Sequence, residues 1–284
     1  MLYKRMEGNP LMTQLIFDIG SNATKASWVN AQGEIVKNWR VSTKLGKHLL
    51  SDGSMDLESV QKNISAVLEI IQEVSGQVHS RIYHHCIGTE ALRKATNQDL
   101  ILQMFASAGL ELDILTPDEE AKYERLGIMH SKAVAMLPKQ SFLLIDSGGS
   151  STECSIILSD GTVPYAHSFS FGQHKILDML QNDTEDVLSE MMTALENVTT
   201  SYSLAYIIAA GSSVITYAME TLHIQNPGDV EGKRIMPNVP VEQPASQAGQ
   251  LLVNRLTNAI HLPVYVSTYG IRHGWIFSKN TQGK

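Results

Sequence analysis

The chain has 284 residues, of which 43% are hydrophobic and 18% charged, a balance typical of a globular protein with two modest domains. Its formal net charge of −7 excludes a global positive field, so we expect no nucleic-acid partner. The two cysteines lack CxxC spacing, and no apolar run reaches signal-peptide or membrane-spanning length. These features predict a cytoplasmic protein with no disulfide framework and no membrane partner.

The first half of the chain begins with a loose leader of about a dozen residues and continues as closely spaced strands. A helix is predicted after Asp56, an N-cap residue, because apolar side chains then recur at helical spacing as far as Ile71. The remaining pattern predicts one more helix at residues 99–106, and strands at residues 15–18, 26–29, 35–41 and 83–88.

The second half repeats the opening pattern of an apolar strand, an Asp-x-Gly turn and another strand. This internal repeat predicts two related lobes that face one another across a cleft. A proline-rich stretch at residues 224–248 is predicted to be an irregular connector. Helices are predicted at residues 185–198 and 245–260, and strands at residues 142–146, 154–158, 206–210 and 264–266.

The two Asp-x-Gly turns have the composition of anion sites. Glycine lets a phosphate approach the backbone closely, N–H groups exposed at a strand end bind anions, and hydroxyl and amide side chains add donors. Asp18 and Asp146 are natural anchors for Mg²⁺, which prefers a few carboxylates plus water and substrate phosphate. A single Asp-x-Gly turn is more often an ordinary strand end than an anion site. Two copies in matching contexts give these two interpretations equal weight. The segments are Asp18-Ile19-Gly20-Ser21-Asn22 and Asp146-Ser147-Gly148-Gly149-Ser150-Ser151-Thr152.

Two further charged residues have both a structural and a functional interpretation. Thr116 suits a helix N-cap and Glu119 its capping-box partner, so Glu119 is explained by the helix start alone. Glu120 is either a solvated carboxylate favoured by the helix dipole or a general base that activates water. Arg93, after a strand, is either an ordinary surface residue or a bidentate phosphate ligand.

Five segments, in the same order over residues 14–280, resemble the exopolyphosphatase and guanosine-pentaphosphate phosphatase (Ppx/GppA) family. They are the two Asp-x-Gly turns, Thr89-Glu90-Ala91-Leu92-Arg93-Lys94-Ala95, Glu119-Glu120-Ala121, and Gly270-Ile271-Arg272-His273-Gly274. The resemblance implies an α/β fold, namely the duplicated ribonuclease-H-like fold of actin-like ATPases (ASKHA), in a short form without a C-terminal helical domain. The implied lobes are residues 13–136 and 137–284, with the final helix packing back on the first lobe.

The resemblance also implies hydrolysis of the terminal phosphoanhydride bond of polyphosphate or guanosine pentaphosphate by Mg²⁺-assisted attack of water. Carried over residue by residue, it makes Glu120 the catalytic base, with Asp146 and Arg93 as further catalytic residues. Asp146 and Glu153 are the implied metal ligands, and a homodimer is the implied assembly. The implied phosphate-binding residues are Asp18, Gly20, Ser21, Asn22, Gly148, Gly149, Ser150, Ser151 and Gly211.

This sequence departs from the family pattern at several positions, which keeps other functions open. Ser150 replaces a glycine and would be costly if that position required φ > 0 or a close backbone approach. Ser212 also replaces a glycine, and Lys25 replaces a residue that is often apolar or His. The stretch after Tyr217 is short, which predicts that helices usually present in the second lobe of the family are missing. The alternatives are a non-catalytic sensor that binds polyphosphate or an alarmone, and a small-molecule kinase on the same fold.

Overall fold

A computed structural model describes residues 13–30, 35–79, 81–182 and 184–281. The chain divides into two compact units, the first ending at Glu120 and the second beginning at Ala121. The predicted lobe boundary between residues 136 and 137 stays a prediction. The predicted leader lies outside the described residues, apart from the start of the first strand.

The first unit is built on a five-stranded mixed sheet in the order β3-β2-β1-β4-β5. Strands β1 to β3 are antiparallel, whereas β4 is parallel to β1 and β5 is parallel to β4. The elements are β1 (Thr13–Ile19), β2 (Ala23–Val29), β3 (Ile35–Ser42), α1 (Leu57–Ser75), β4 (Ile82–Gly88), α2 (Glu90–Lys94), α3 (Gln98–Ser107) and β5 (Leu112–Ile114).

Helices α1 and α3 cover one face of this sheet. Their apolar side chains share a core with alternate residues of β1 and β2, such as Phe17 and Ala26, because successive side chains of a strand point to opposite faces. The carboxylate of Asp56 accepts hydrogen bonds from the N–H groups of Glu58 and Ser59, so the predicted N-cap of α1 is confirmed. The residues between the core positions, including Asp18, belong to the other face.

The second unit is built on a six-stranded mixed sheet in the order β10-β11-β9-β6-β7-β8. Helix α4 begins in the last residues of the first unit and runs into the second. The elements are α4 (Pro117–Met129), α5 (Lys132–Met136), β6 (Phe142–Ser147), β7 (Thr152–Ile157), β8 (Tyr165–Phe169), α6 (Gln173–Asn182), α7 (Ser189–Thr199), β9 (Tyr206–Ala210), α8 (Ser212–Thr221), β10 (Arg234–Ile235), α9 (Pro244–Ile260), β11 (Val264–Val266) and α10 (Ile271–Thr281).

Both faces of the second sheet are covered by helices. Residues of α6 to α9 form the larger core on one face, and Ile128 of α4 and Ala133 of α5 join a smaller core on the other. Helix α10 packs directly on α4, where a Cβ added at Gly274 would lie 1.7 Å from the carbonyl oxygen of Tyr123. The rings of Tyr123 and Trp275 also meet edge to face, 5.2 Å apart. These contacts lie within the second unit, and the predicted packing of the final helix on the first lobe stays a prediction.

The two sheets share one topology, because β8-β7-β6-β9-β11 repeats the strand order and directions of β3-β2-β1-β4-β5. Strand β10 extends the second sheet at its edge. Three antiparallel strands followed by two parallel ones, occurring twice in one chain, form the duplicated ribonuclease-H-like fold of actin-like ATPases. The predicted fold class is therefore confirmed.

Some elements differ from the sequence prediction. Helix α7 begins at Ser189 rather than at residue 185, and the predicted connector contains a 3₁₀ helix (Pro227–Val230), β10 and the start of α9. Strands β5 and β8 and helices α2, α5, α6 and α8 were not predicted. No helix in the described part of the chain has the length and apolar character needed to span a membrane.

Candidate active site

The two Asp-x-Gly turns have the same backbone geometry. In each, the second residue after the aspartate donates its N–H to a carbonyl three residues later: Gly20 to Ala23 at 3.2 Å, and Gly148 to Ser151 at 2.9 Å. The segments align residue for residue without a gap. Asp18 therefore corresponds to Asp146.

In the first unit, the aspartate at this position has a cationic neighbour. Asp18 lies directly opposite Lys25 in the β1–β2 ladder, and Lys25 Nζ is 3.6 Å from Asp18 Oδ2. Lys25 thus places a positive charge beside the Asp18 carboxylate. In the alignment of the two turns, Lys25 corresponds to Glu153 of the second unit. The residue opposite the aspartate is therefore a cation in the first unit and an acid in the second.

In the second unit, the same two positions hold two buried acids. Asp146 lies opposite Glu153 in the β6–β7 ladder, with 7% and 8% of their surfaces exposed. Burial, and secondly the charge of Asp146, raise the pKa of Glu153 to about 7. The Ser168 hydroxyl donates to Glu153 at 2.9 Å, and Ser151 and Glu124 also form side-chain hydrogen bonds with it. Two buried carboxyl groups at directly opposite positions of neighbouring strands call for a proton or a cation.

This acid pair fits a Mg²⁺ ion. Mg²⁺ typically uses one or two carboxylates and completes its coordination with water and substrate phosphate. Within the described residues, no group of three or more His, Cys, Asp or Glu side chains is arranged to hold a metal. Asp146 and Glu153 therefore suit a metal ion that takes its remaining ligands from water and from a bound phosphate. The first turn fits less well, since Lys25 already balances Asp18.

The second turn is braced from below by helix α6. The N–H groups of Gln173 and His174 donate to the carbonyls of Gly148 and Gly149, at 2.9 and 3.0 Å. Across the described residues, no hydrogen bond uses the N–H groups of Gly149 and Ser150. A turn whose carbonyls are held on one side, and in which two successive N–H groups form no such bond, has the character of an anion site.

Gly172 allows this bracing, because a Cβ there would lie 2.6 Å from the carbonyl oxygen of Gly148 and 2.7 Å from Ser150 N. We expect Gly172→Ala to cost about 1–3 kcal/mol of folding free energy, as overpacking does, and to reduce activity by displacing the turn. The matched control is Gly228→Ala, whose Cβ would meet nothing nearer than 3.6 Å. Urea unfolding and phosphate-release rates of both variants check this prediction, and equal behaviour would contradict it.

The serine substitutions are accommodated without backbone strain. Ser150 is not among the described non-glycine residues with positive φ, so the condition under which it would be costly is not met. The glycine needed for close approach is Gly172 instead. Gly211 has φ 101°, and a Cβ there would lie 2.0 Å from the carbonyl oxygen of Ser147. The hydroxyl of Ser212 donates to Gln173 Oε1 at 3.0 Å, linking α8 to the helix that braces the turn.

Glu120 and Glu119 differ as the capping-box interpretation predicts. Glu119 is exposed and accepts hydrogen bonds from the Thr116 N–H and hydroxyl, while its own N–H donates to the Thr116 hydroxyl. The Glu120 side chain is only 15% exposed and accepts a hydrogen bond from Arg93 Nη1 at 2.8 Å. The same nitrogen donates to the Leu115 carbonyl at 2.7 Å. Arg93 thus fixes the Glu120 carboxylate. A guanidinium has five N–H donors, and these two bonds use only one of its nitrogens.

Sequence reasoning missed three residues of the second turn's surroundings. Glu124 lies beside Glu153, and its side chain lowers the pKa of Glu153 against the larger effect of burial. Gly172 and His273 were also missed as supports. His273 is buried, its Nδ1 accepts from the Gly270 N–H, and burial lowers its pKa to about 3, so the ring is neutral. A Cβ on Gly270 would lie 3.8 Å from Asp146 Oδ2, which places this segment beside the acid pair.

A model of the Ppx/GppA phosphatase family matches residues 26–209, more than half of the chain. The chain belongs to the Ppx/GppA phosphatase family. The matched range includes Arg93, Glu120, Asp146 and Glu153, but it includes neither the first turn nor Gly211. No curated protein matches this family member.

Solved structures of the Ppx/GppA family share the fold across nearly the whole chain. The Aquifex aeolicus PPX-GPPA enzyme is 21% identical with a TM-score of 0.74, and the alignment covers 95% of this chain and 100% of that one. An exopolyphosphatase from Cytophaga hutchinsonii is 16% identical with a TM-score of 0.71, covering 95% and 98%. At these identities the likeness shows the fold alone. Because whole neighbouring chains are covered, these comparisons do not support a loss of helices after Tyr217.

Proposed function

We propose that this protein hydrolyses the terminal phosphoanhydride bond of inorganic polyphosphate or guanosine pentaphosphate. The observation that carries the proposal is the buried Asp146–Glu153 pair beside a turn in which no hydrogen bond of the described residues uses the N–H groups of Gly149 and Ser150. The acids suit a metal ion and the N–H groups suit a phosphate, so this arrangement supports phosphoryl chemistry. Membership of a phosphatase family supports the same reaction class.

In the proposed reaction, water attacks the terminal phosphorus and the bond to the bridging oxygen breaks. Glu120 takes a proton from that water, and its ion pair with Arg93 fixes the direction in which it accepts. The N–H groups of the second turn bind the oxygens of the terminal phosphate. Asp146 and Glu153 would hold Mg²⁺, which neutralises charge on the phosphate oxygens when bound. The products are orthophosphate and a substrate shortened by one phosphate.

The test is release of orthophosphate from long-chain polyphosphate and, separately, from guanosine pentaphosphate, each with Mg²⁺ and with excess chelator. We expect Mg²⁺-dependent release from at least one substrate. Tight binding of either substrate without release would overturn the hydrolase in favour of a sensor. Transfer of phosphate from ATP to an acceptor would instead point to a kinase.

A further inference from the structure

Residues 267–270 connect β11 to α10 in the second unit, and we refer to them as the β11–α10 segment. The first of them still belongs to the sheet, because Ser267 N–H donates to the Ala209 carbonyl of β9 at 2.9 Å. The last of them reaches the acid pair, since a Cβ on Gly270 would lie 3.8 Å from Asp146 Oδ2. The β11–α10 segment therefore joins the central sheet to the surroundings of the Asp146 carboxylate.

After Ser267, side chains hold the backbone of the β11–α10 segment. Its next three N–H groups donate to side-chain acceptors: Thr268 to Glu231 Oε2 at 2.5 Å, Tyr269 to Ser267 Oγ at 3.2 Å, and Gly270 to His273 Nδ1 at 3.2 Å. Two of these acceptors lie within three residues of their donors, so they fix the local shape of the segment. Glu231 is distant in sequence, so it fixes where the segment lies in the second unit.

The Glu231 side chain is half-buried and its carboxylate bridges two parts of the second unit. Oε2 accepts from the Thr268 hydroxyl at 2.8 Å as well as from the Thr268 N–H. Oε1 accepts from the N–H of Ala133, in the first turn of α5, at 2.7 Å. A carboxylate accepts through both oxygens, whereas a glutamine side chain has a single acceptor oxygen. Glutamine at this position could therefore accept from one of the two N–H groups but not from both.

We infer that Glu231 is a positioning residue for metal binding: it holds the β11–α10 segment at Thr268, and the segment in turn keeps its backbone at Gly270 against Asp146. The inference rests on the proposed function for the use of Asp146 as a Mg²⁺ ligand. A ligand carboxylate binds tightly only when its surroundings fix its direction, and loss of a supporting residue typically lowers metal affinity about 10–100-fold. Because Glu231 acts through an intervening segment, we expect the lower end of this range.

The test compares Glu231→Gln with the matched control Glu220→Gln. Glu220 is also half-buried, and its carboxylate also accepts from a distant backbone N–H, that of Glu242 at 2.6 Å. That bond joins α8 to the residues before α9. Both substitutions should lower the midpoint of urea unfolding, because each leaves a backbone donor with a weaker acceptor. Their effects on metal binding should differ.

The decisive measurement is equilibrium binding of Mn²⁺ alone, an ion that takes the same oxygen ligands as Mg²⁺. The part of this binding that is lost in Asp146→Asn belongs to the acid pair. We expect that part to weaken about tenfold in Glu231→Gln and to stay unchanged in Glu220→Gln. The Mg²⁺ concentration for half-maximal phosphate release should rise by the same factor in Glu231→Gln, while the rate at saturating Mg²⁺ changes little.

Thr268→Val is a milder variant that removes only the hydroxyl donor to Glu231. It should weaken the same part of Mn²⁺ binding by a smaller factor, and it gives the answer if Glu231→Gln does not fold. Unchanged Mn²⁺ binding in both of these variants would overturn the inference. So would an equal loss in Glu220→Gln, a loss confined to Mn²⁺ binding that survives in Asp146→Asn, or no Mn²⁺ binding by the unaltered protein.

Metal binding is measured without substrate, so its result is separate from the test of the hydrolase. A tenfold loss at the acid pair, in a protein that releases no phosphate from either substrate, would support the role of Glu231 while overturning the proposed hydrolysis. Phosphate release that needs Mg²⁺, combined with equal metal affinity in Glu231→Gln and the unaltered protein, would support the hydrolase and overturn the positioning role.

Discussion

Glu120→Gln is expected to lower the rate of phosphate release by about 10²–10⁴-fold, the usual contribution of a general base. The amide has nearly the size of the carboxylate, and its oxygen can still accept from Arg93, but it cannot take a proton from water. The lost ion pair is partly buried, so the folding free energy should change by only about 1 kcal/mol. Single-turnover phosphate release and urea unfolding separate the two effects.

The matched control is Glu119→Gln, which makes the same chemical change one residue earlier on α4. Glu119 is exposed and its carboxylate accepts from Thr116 at the helix start, so its change should reduce stability by less than about 1 kcal/mol and leave the rate unaltered. Equal rates for Glu120→Gln and the unaltered protein would remove Glu120 from the mechanism. A parallel fall in both variants would indicate damage to the helix start rather than loss of a base.

The sequence predicted the elements whose signals are local. Strand β1 is an apolar run, α1 has an N-cap and helical periodicity, and the start of α4 has a capping box, so each could be recognised without tertiary information. Helix α6 and strand β8 could not, because β8 is mostly exposed and α6 has only one buried residue. Their positions depend on the pairing of β8 with β7 and on contacts of α6 with the second turn.

The candidate site was predicted by residue type but not by arrangement. Strand register places Lys25 opposite Asp18 and Glu153 opposite Asp146. The composition of the two turns alone does not show this difference. Gly172 contacts a turn that is distant from it in sequence, so no local sequence pattern indicates that it supports the turn. Mg²⁺ binding, the choice of substrate, a homodimer, the cytoplasmic location and the roles of the site residues stay predictions.

Asp146→Asn is expected to abolish Mg²⁺-dependent phosphate release and, at the same time, to stabilise the metal-free protein by about 1–2 kcal/mol at pH 8. The stabilisation follows from Glu153, whose pKa is about 7 in the folded protein against an ordinary 4.5. The folded state binds the proton more tightly, so stability is lost as the pH rises from about 4.5 to 7. The full shift of the Glu153 pKa corresponds to about 3 kcal/mol. Burial is its largest cause and the charge of Asp146 the second, so removing that charge recovers only part of it.

The measurement is urea unfolding between pH 4 and pH 8, with chelator and with Mg²⁺. The unaltered protein should lose stability through this window in chelator and recover much of it with Mg²⁺, because a cation held by Asp146 and Glu153 would balance their negative charge in place of the proton. Asp146→Asn should show a smaller loss and little response to the metal.

The duplicated fold provides the matched control, Asp18→Asn, at the corresponding position of the first unit. Its cross-strand neighbour is Lys25, so removing the carboxylate charge breaks an attraction instead of relieving a repulsion. Asp18→Asn should therefore leave stability unchanged or slightly lower, and should leave the response to Mg²⁺ intact. Stabilisation by both substitutions, or by neither, would mean that the acid pair is not under electrostatic strain. Opposite effects at the two positions would locate the metal-dependent charge in the second unit.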